Sequence, residues 1–146
     1  DLRRAALTMT AFDTNILVYS FDAQQPAKRE RAREIIARAL RDGSAIISYQ
    51  VVQEFLNVVL HKFASPFSVK NCGDYLSGVL EPLCQVYPDA SLYRKALDVH
   101  DTTGFSYYDS LIVVGAMRGQ CSRLLTEDMQ TGREIEGVKI VNPFPA

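Results

Sequence analysis

Along residues 28 to 41 the apolar positions Ala32, Ile35, Ile36, Ala39 and Leu40 recur at helical spacing, with charged residues between them. Pro26 precedes the run and Gly43 follows it, the usual start and stop of a helix, so the pattern predicts one there. Residues 45 to 48 form a short apolar run suited to a buried strand. Val52, Phe55, Leu56, Val59 and Phe63 then mark one face of a second helix over 49 to 63. The alternation continues with a helix over 69 to 80, broken by Glu81-Pro82, and a strand over 84 to 87. A helix over 89 to 100 carries Leu92, Ala96 and Val99 on one side, and the next, over 106 to 117, is apolar nearly all round. Short strands at 124 to 126 and 138 to 141 close the chain, with Pro143 stopping the last.

The stretch AFDTNILVYS, residues 11 to 20, fits this scheme less simply. Ala11 and Phe12 lead toward Ile16, Leu17, Val18 and Tyr19, residues suited to a strand or a buried helix face, but Asp13, Thr14 and Asn15 interrupt them. A strand ending at Asp13 is the simplest reading. Strands apolar on both faces, alternating with helices, imply a parallel sheet covered on both sides, an α/β doubly wound fold. Sheets of this kind gather their sites beyond the carboxyl ends of the strands.

Composition narrows the picture further. A chain of 146 residues, 47% of them hydrophobic, is long enough for one domain with a core of its own. The first eight residues, DLRRAALT, read as an extension before Met9, not necessarily native, which leaves a single domain over 9 to 146. They lack the apolar core of a secretion signal, and the longest charge-free apolar run falls well short of a membrane span. Cys72, Cys84 and Cys121 form an odd, widely spaced set that argues against a disulfide framework and a zinc knuckle, so a cytoplasmic setting is expected. A net charge of −1 carries no basic signature of nucleic-acid binding.

Four acids stand where a site is expected. Asp13 ends the first strand, Glu54 lies in the second turn of the helix after the second strand, Asp109 lies in the first turn of the apolar helix, and Asp128 follows the fourth strand. Each has a plain structural reading. Asp13 and Asp128 suit a strand exit, where short acids bond their own backbone. Ser106 and Asp109 match a capping box. Glu54, on a stripe with Val51 and Val58, is harder to explain, because a buried acid among valines needs compensation. Together the four would repel, so that some hold protons or a cation neutralises them. Oxygen ligands with almost no histidine or thiolate select a hard ion, Mg²⁺ or Mn²⁺, and such sites hydrolyse phosphodiesters. The acids therefore predict a metal-dependent nuclease.

The segments FDTNILVYSFD, IISYQVVQEFLNVV, FSYYDSLIVVGAM and LLTEDMQTGREIEGVKIVNPF, in this order, resemble the PIN-domain ribonucleases, and among them the VapC-type toxins of toxin–antitoxin pairs. The resemblance runs from about residue 10 to residue 144. It implies a three-layer α/β/α fold with a five-stranded parallel sheet. It also implies an acidic pocket in which Asp13, Glu54, Asp109 and Asp128 are the catalytic and metal-binding residues, for Mg²⁺ or Mn²⁺, with Asn15 and Thr126 in support. An endoribonuclease cutting tRNA or rRNA, a homodimer and a cognate antitoxin partner follow from the same likeness.

With the four acids set aside the remaining charge turns positive, so Lys28, Arg29, Arg31, Arg33, Lys62, Arg94, Lys95 and Arg118 offer phosphate contacts, though solvated helix faces explain each as well. Tyr107 and Tyr108 offer rings for base stacking, with core packing the plainer fate of at least one. Glu127 reads as exposed. His61 and His100 are too scattered for a zinc site. Two rival classes stay open: a non-catalytic PIN-like domain that binds RNA or protein, and a phospho-acceptor α/β domain. The second fits poorly, because Asp13-Thr14-Asn15 lacks the second acid expected two residues after a phosphatase nucleophile.

Overall fold

A computed structural model of the chain describes residues 8–63 and 66–144. The expected extension, residues 1–8, lies outside the described residues except for Thr8. The chain opens with β1 (Thr10–Phe12), α1 (Thr14–Tyr19), α2 (Pro26–Asp42), β2 (Ala45–Ser48) and α3 (Tyr49–His61). There follow α4 (Val69–Tyr75), a π turn over Leu76–Leu80, α5 (Glu81–Leu83) and β3 (Cys84–Val86). Next come α6 (Ala90–Thr103), α7 (Tyr107–Arg118), β4 (Arg123–Leu125), β5 (Glu134–Ile135) and β6 (Val138–Val141).

The strands form one sheet in the order β3-β2-β1-β4-β6-β5. All neighbours run parallel except β5, which turns back antiparallel on β6. The α/β/α class is as expected; the sheet has six strands rather than five. The extra edge strand follows from Glu136 and Gly137, whose φ angles of 45° and 89° make the two-residue hairpin turn that joins β5 to β6. A reading based on runs of apolar residues passes over a two-residue strand.

Two layers of helix cover the sheet. Thr10, Phe12, Leu125 and Val141 of the sheet line one hollow together with Ile35 and Ala39 of α2 on one side. On the other side α7 presses so close that a Cβ on Gly115 would stand 3.2 Å from the Ser48 Cβ, and one on Gly119 would overlap Ile46 Cδ1. This contact explains why α7 is apolar all round: from Ser110 to Ala116 every residue is buried. Phe55, Ile16, Leu17, Leu124 and Ile140 are fully enclosed.

Of the two readings open for the residues after Asp13, a strand or a buried helix face, the structure has the second: they are helical, with Ile16 and Leu17 buried as the inner face of α1. One local expectation is corrected. Pro82 does not break the helix before it: Glu81 N–H bonds Leu76 O in the wide π turn, and the chain continues into α5. Proline has no N–H for an α-helical bond, and a π turn just ahead of it absorbs the mismatch.

Candidate active site

Asp13 leaves β1 with its backbone N–H on Leu125 O at 2.9 Å, which ties the strand end to β4. Its side chain caps α1, Oδ1 accepting from Thr14 N–H at 2.7 Å, while Oδ2 accepts from the Thr126 hydroxyl at 2.7 Å. The carboxyl group is buried, and burial pushes its pKa up to about 6, with the charges of Glu54 and Asp128 adding to the rise. The two hydrogen bonds favour the ionised form and oppose that shift. The plain reading of Asp13 as a cap is thus correct, and it coexists with a perturbed carboxylate.

From Asp13 a chain of hydrogen bonds runs in both directions. On one side the Thr14 hydroxyl donates to Glu54 Oε2 at 2.7 Å, and Gln50 Nε2 donates to Glu54 Oε1 at 2.8 Å. The same Gln50 amide reaches Tyr108 O at 3.3 Å, in the first turn of α7. On the other side the Thr126 hydroxyl, having donated to Asp13, accepts from Asp128 N–H at 3.1 Å. Asn15 Nδ2 then donates to Asp128 Oδ2 at 3.0 Å. The half-buried Glu54 that seemed costly among valines is therefore compensated by a threonine and a glutamine.

Asp109 joins the group through charge. Its N–H bonds Ser106 Oγ at 3.1 Å, as the capping pattern requires. Its pKa is raised, first by burial and then by the Asp128 and Glu54 carboxylates, while a hydrogen bond with Ser106 opposes the shift. Asp128, on the loop after β4, is the exposed member. Among the described residues no three acids, histidines or cysteines converge closely enough to form a ready-made ligand set. The carboxylates are spaced by hydroxyl and amide groups, and the Asn15 Oδ1 and Gln50 Oε1 atoms beside them are buried without a partner.

The structure thus brings Asp13, Glu54, Asp109 and Asp128 to one edge, with Asn15 and Thr126 bonded among them. Thr14 and Gln50 belong to the same network and escaped the sequence reading. Gln50 lies four residues before Glu54 on α3, a spacing at which side chains meet, and that signal was available. Glu127, expected to be exposed, is instead half-buried and held by Lys28 Nζ at 2.7 Å and the Tyr19 hydroxyl at 2.6 Å. Lys28 is consequently committed to Glu127 rather than offered to a phosphate. Lys95 and Arg118 are likewise paired, with Glu136 at 2.9 Å and Asp89 at 3.0 Å. A hollow of about 180 Å³ beneath α2, lined by Phe12, Ile35, Arg31, Arg38 and Arg123, holds none of the four acids. The four acids lie at the strand edge, apart from this hollow.

The fold and its acid cluster define a class: an α/β/α domain that concentrates carboxylates at the carboxyl edge of a mainly parallel sheet. The chain belongs to the PIN domain family, whose model matches residues 11–133. No curated protein matches it by sequence. Among solved structures, a toxin–antitoxin complex from Klebsiella pneumoniae is similar with 16% identity and a TM-score of 0.67, over 94% of this chain and 99% of that one. FitAcB from Neisseria gonorrhoeae is 21% identical with a TM-score of 0.60, over 92% and 98%. VapC20 of Mycobacterium tuberculosis, described as a sarcin–ricin loop cleaving toxin, is 13% identical with a TM-score of 0.53, over 79% and 86%. At these identities the likeness is one of fold.

Proposed function

We propose that this protein is a metal-dependent endoribonuclease and the toxin of a toxin–antitoxin pair, acting as one domain over residues 9–146. The observation that carries the reading is the continuous chain Gln50–Glu54–Thr14–Asp13–Thr126–Asp128–Asn15, which fixes three acids around one edge with Asp109 in electrostatic reach. A structural role alone gives no reason to assemble like charges without a basic partner, since their repulsion opposes folding. Family membership supports the nuclease reading, and the descriptions of the similar structures support the toxin reading.

The donor set suits a hard divalent cation. Asp13, Glu54, Asp109 and Asp128 present only oxygen, which favours Mg²⁺ or Mn²⁺ over softer metals. Such an ion, when bound, neutralises the cluster and supplies the electrophilic and water-activating chemistry of phosphodiester hydrolysis. The chain's own residues set the stage. Thr126 holds the Asp13 carboxylate and the Asp128 backbone in one register, Thr14 spaces Asp13 from Glu54, and Asn15 orients Asp128. An RNA substrate such as tRNA or rRNA, a homodimer, a cognate antitoxin and a cytoplasmic setting complete the proposal. Among the described residues no helix is long and apolar enough to cross a membrane.

The test is RNA cleavage by purified protein with Mn²⁺ or Mg²⁺, compared with Asp13→Asn and Asp109→Asn proteins shown to be folded. Cleavage by the parent alone, abolished by EDTA, is expected. Equal cleavage by either variant, or cleavage that persists in EDTA, contradicts the assignment.

A further inference from the structure

The structure separates two tyrosines that the sequence sets side by side. Tyr107 is half-buried and packs on the core, whereas Tyr108 is 69% exposed. An exposed phenol ring is ordinary on a helix surface, but this one occupies a constrained place. Its carbonyl accepts from Gln50 Nε2 at 3.3 Å, and the same amide holds Glu54 Oε1 at 2.8 Å. Asp109 follows it directly in the first turn of α7. The Tyr107 ring stands 6.1 Å away at 68°, an edge-on arrangement. The main chain at Tyr108 is therefore tied through Gln50 to Glu54 on α3, and Asp109 is the next residue on its own helix.

We propose that Tyr108 is a substrate-positioning residue that stacks on an unpaired nucleobase next to the phosphodiester being cut. The inference rests on the nuclease reading above and deepens it: the base beside the cut is unstacked from its neighbour and laid on the ring. Three considerations favour a base over a protein partner. Tyr108 directly precedes Asp109 and its carbonyl is bonded to the Gln50 amide that holds Glu54, so the residue stands beside the acids. The face of the ring is available without moving a core residue. Stacking on an aromatic ring is tolerant of base identity, which suits a residue whose task is to fix position rather than to read sequence. The exposed Tyr87, Tyr93 and Leu97 belong to α6 and its entry, and they lack the Gln50 bond that ties Tyr108 to Glu54.

The test uses an RNA oligonucleotide that the parent protein cuts, with 2-aminopurine placed in turn on each side of the cut. Binding is followed by fluorescence with Ca²⁺ in place of Mg²⁺ or Mn²⁺, and steady-state cleavage is measured in parallel. The parent and Tyr108→Phe are expected to quench the probe at one of the two positions, and Tyr108→Ala to lose that quench. The alanine protein should also show a KM raised about tenfold, the scale of one lost base stack, with kcat changed much less. Retained quench and KM in Tyr108→Ala overturn the proposal. So does a Tyr108→Ala protein whose sedimentation shows an altered oligomeric state with KM unchanged, which makes the ring a contact between copies. If the parent cuts no RNA at all, the nuclease reading itself fails and stacking falls with it, a result distinct from normal cleavage that ignores Tyr108.

Discussion

Asp13 and Asp89 perform the same local task and live in opposite surroundings. Each caps a helix, Asp13 at the head of α1 and Asp89 at the head of α6, and each accepts a backbone N–H at 2.7 Å. Asp89 is exposed and faces Arg118, whose guanidinium forks onto both carboxylate oxygens at 3.0 and 3.2 Å and holds the pKa below the ordinary range. Asp13 is buried, has two further acids in reach and no basic group, and its pKa rises to about 6. Capping alone therefore does not account for Asp13. Where the fold needs only a cap, it surrounds the acid with a cation and water; at the carboxyl edge of the sheet it accepts a conflict of charge, the usual mark of a working site.

Removing the charge from each cap breaks the comparison most sharply. Asp13→Asn keeps the shape and the Thr14 N–H bond, while its amide reverses the sense of the bond with Thr126, and RNA cleavage should fall by about a thousandfold or more, as when a charge-stabilising group is removed from an active site. Asp89→Asn should leave cleavage at the parent rate and lower stability through loss of the Arg118 fork. Equal loss of activity in both would erase the distinction.

Thr126→Val comes next. The fully buried hydroxyl donates to Asp13 and accepts from Asp128, so the valine leaves both groups unsatisfied. Cleavage should drop roughly 10- to 100-fold, the cost typical of residues that orient ligands, with a loss of about 1–3 kcal/mol in stability. Chemical denaturation and initial rates measure the two effects separately.

The pH dependence of stability supplies a third contrast. Folded Asp13 holds its proton more tightly than in the unfolded chain, raised from 3.8 to about 6, so its contribution is complete below about pH 3.8 and is lost as pH rises through 6. In EDTA the loss should approach roughly 3 kcal/mol across that window, and Asp13→Asn should abolish it. Asp89 acts in the opposite sense: its lowered pKa gives stability at neutral pH that fades as pH falls. Urea unfolding of the parent, Asp13→Asn and Asp89→Asn from about pH 2 to 7 separates the two. The smallest effect should come from Glu127→Gln, which loosens a half-exposed pair with Lys28, changes stability by less than about 1 kcal/mol and leaves cleavage near the parent rate.

Much of the architecture was legible because helix and strand periods are written plainly. Ala32, Ile36 and Ala39 are buried on α2, and Leu92, Ala96 and Val99 on α6, as their spacing requires. The departures have physical causes. Pro82 suggests a break, but a π turn carries the helix past it. The Glu136-Gly137 hairpin turn creates an edge strand too short for a periodic signal. Of the site, the acids could be singled out because a carboxylate at a strand exit or among valines is conspicuous. Thr14 and Gln50 were overlooked because a threonine or glutamine on a helix is unremarkable until its partner is in place. The tie of Glu127 to Lys28, 99 positions away in the chain, is a product of tertiary packing that local pattern does not encode.

The central claim is that Asp13, Glu54, Asp109 and Asp128 act as one cation-binding group. Titration of the metal-free protein with Mn²⁺, followed by calorimetry or by the loss of the free-ion electron paramagnetic resonance signal, tests it directly. Saturable binding by the parent, strongly weakened in Asp13→Asn and in Asp109→Asn but retained in Asp89→Asn, is the predicted result. Binding of the same strength in the parent and in Asp13→Asn would contradict it.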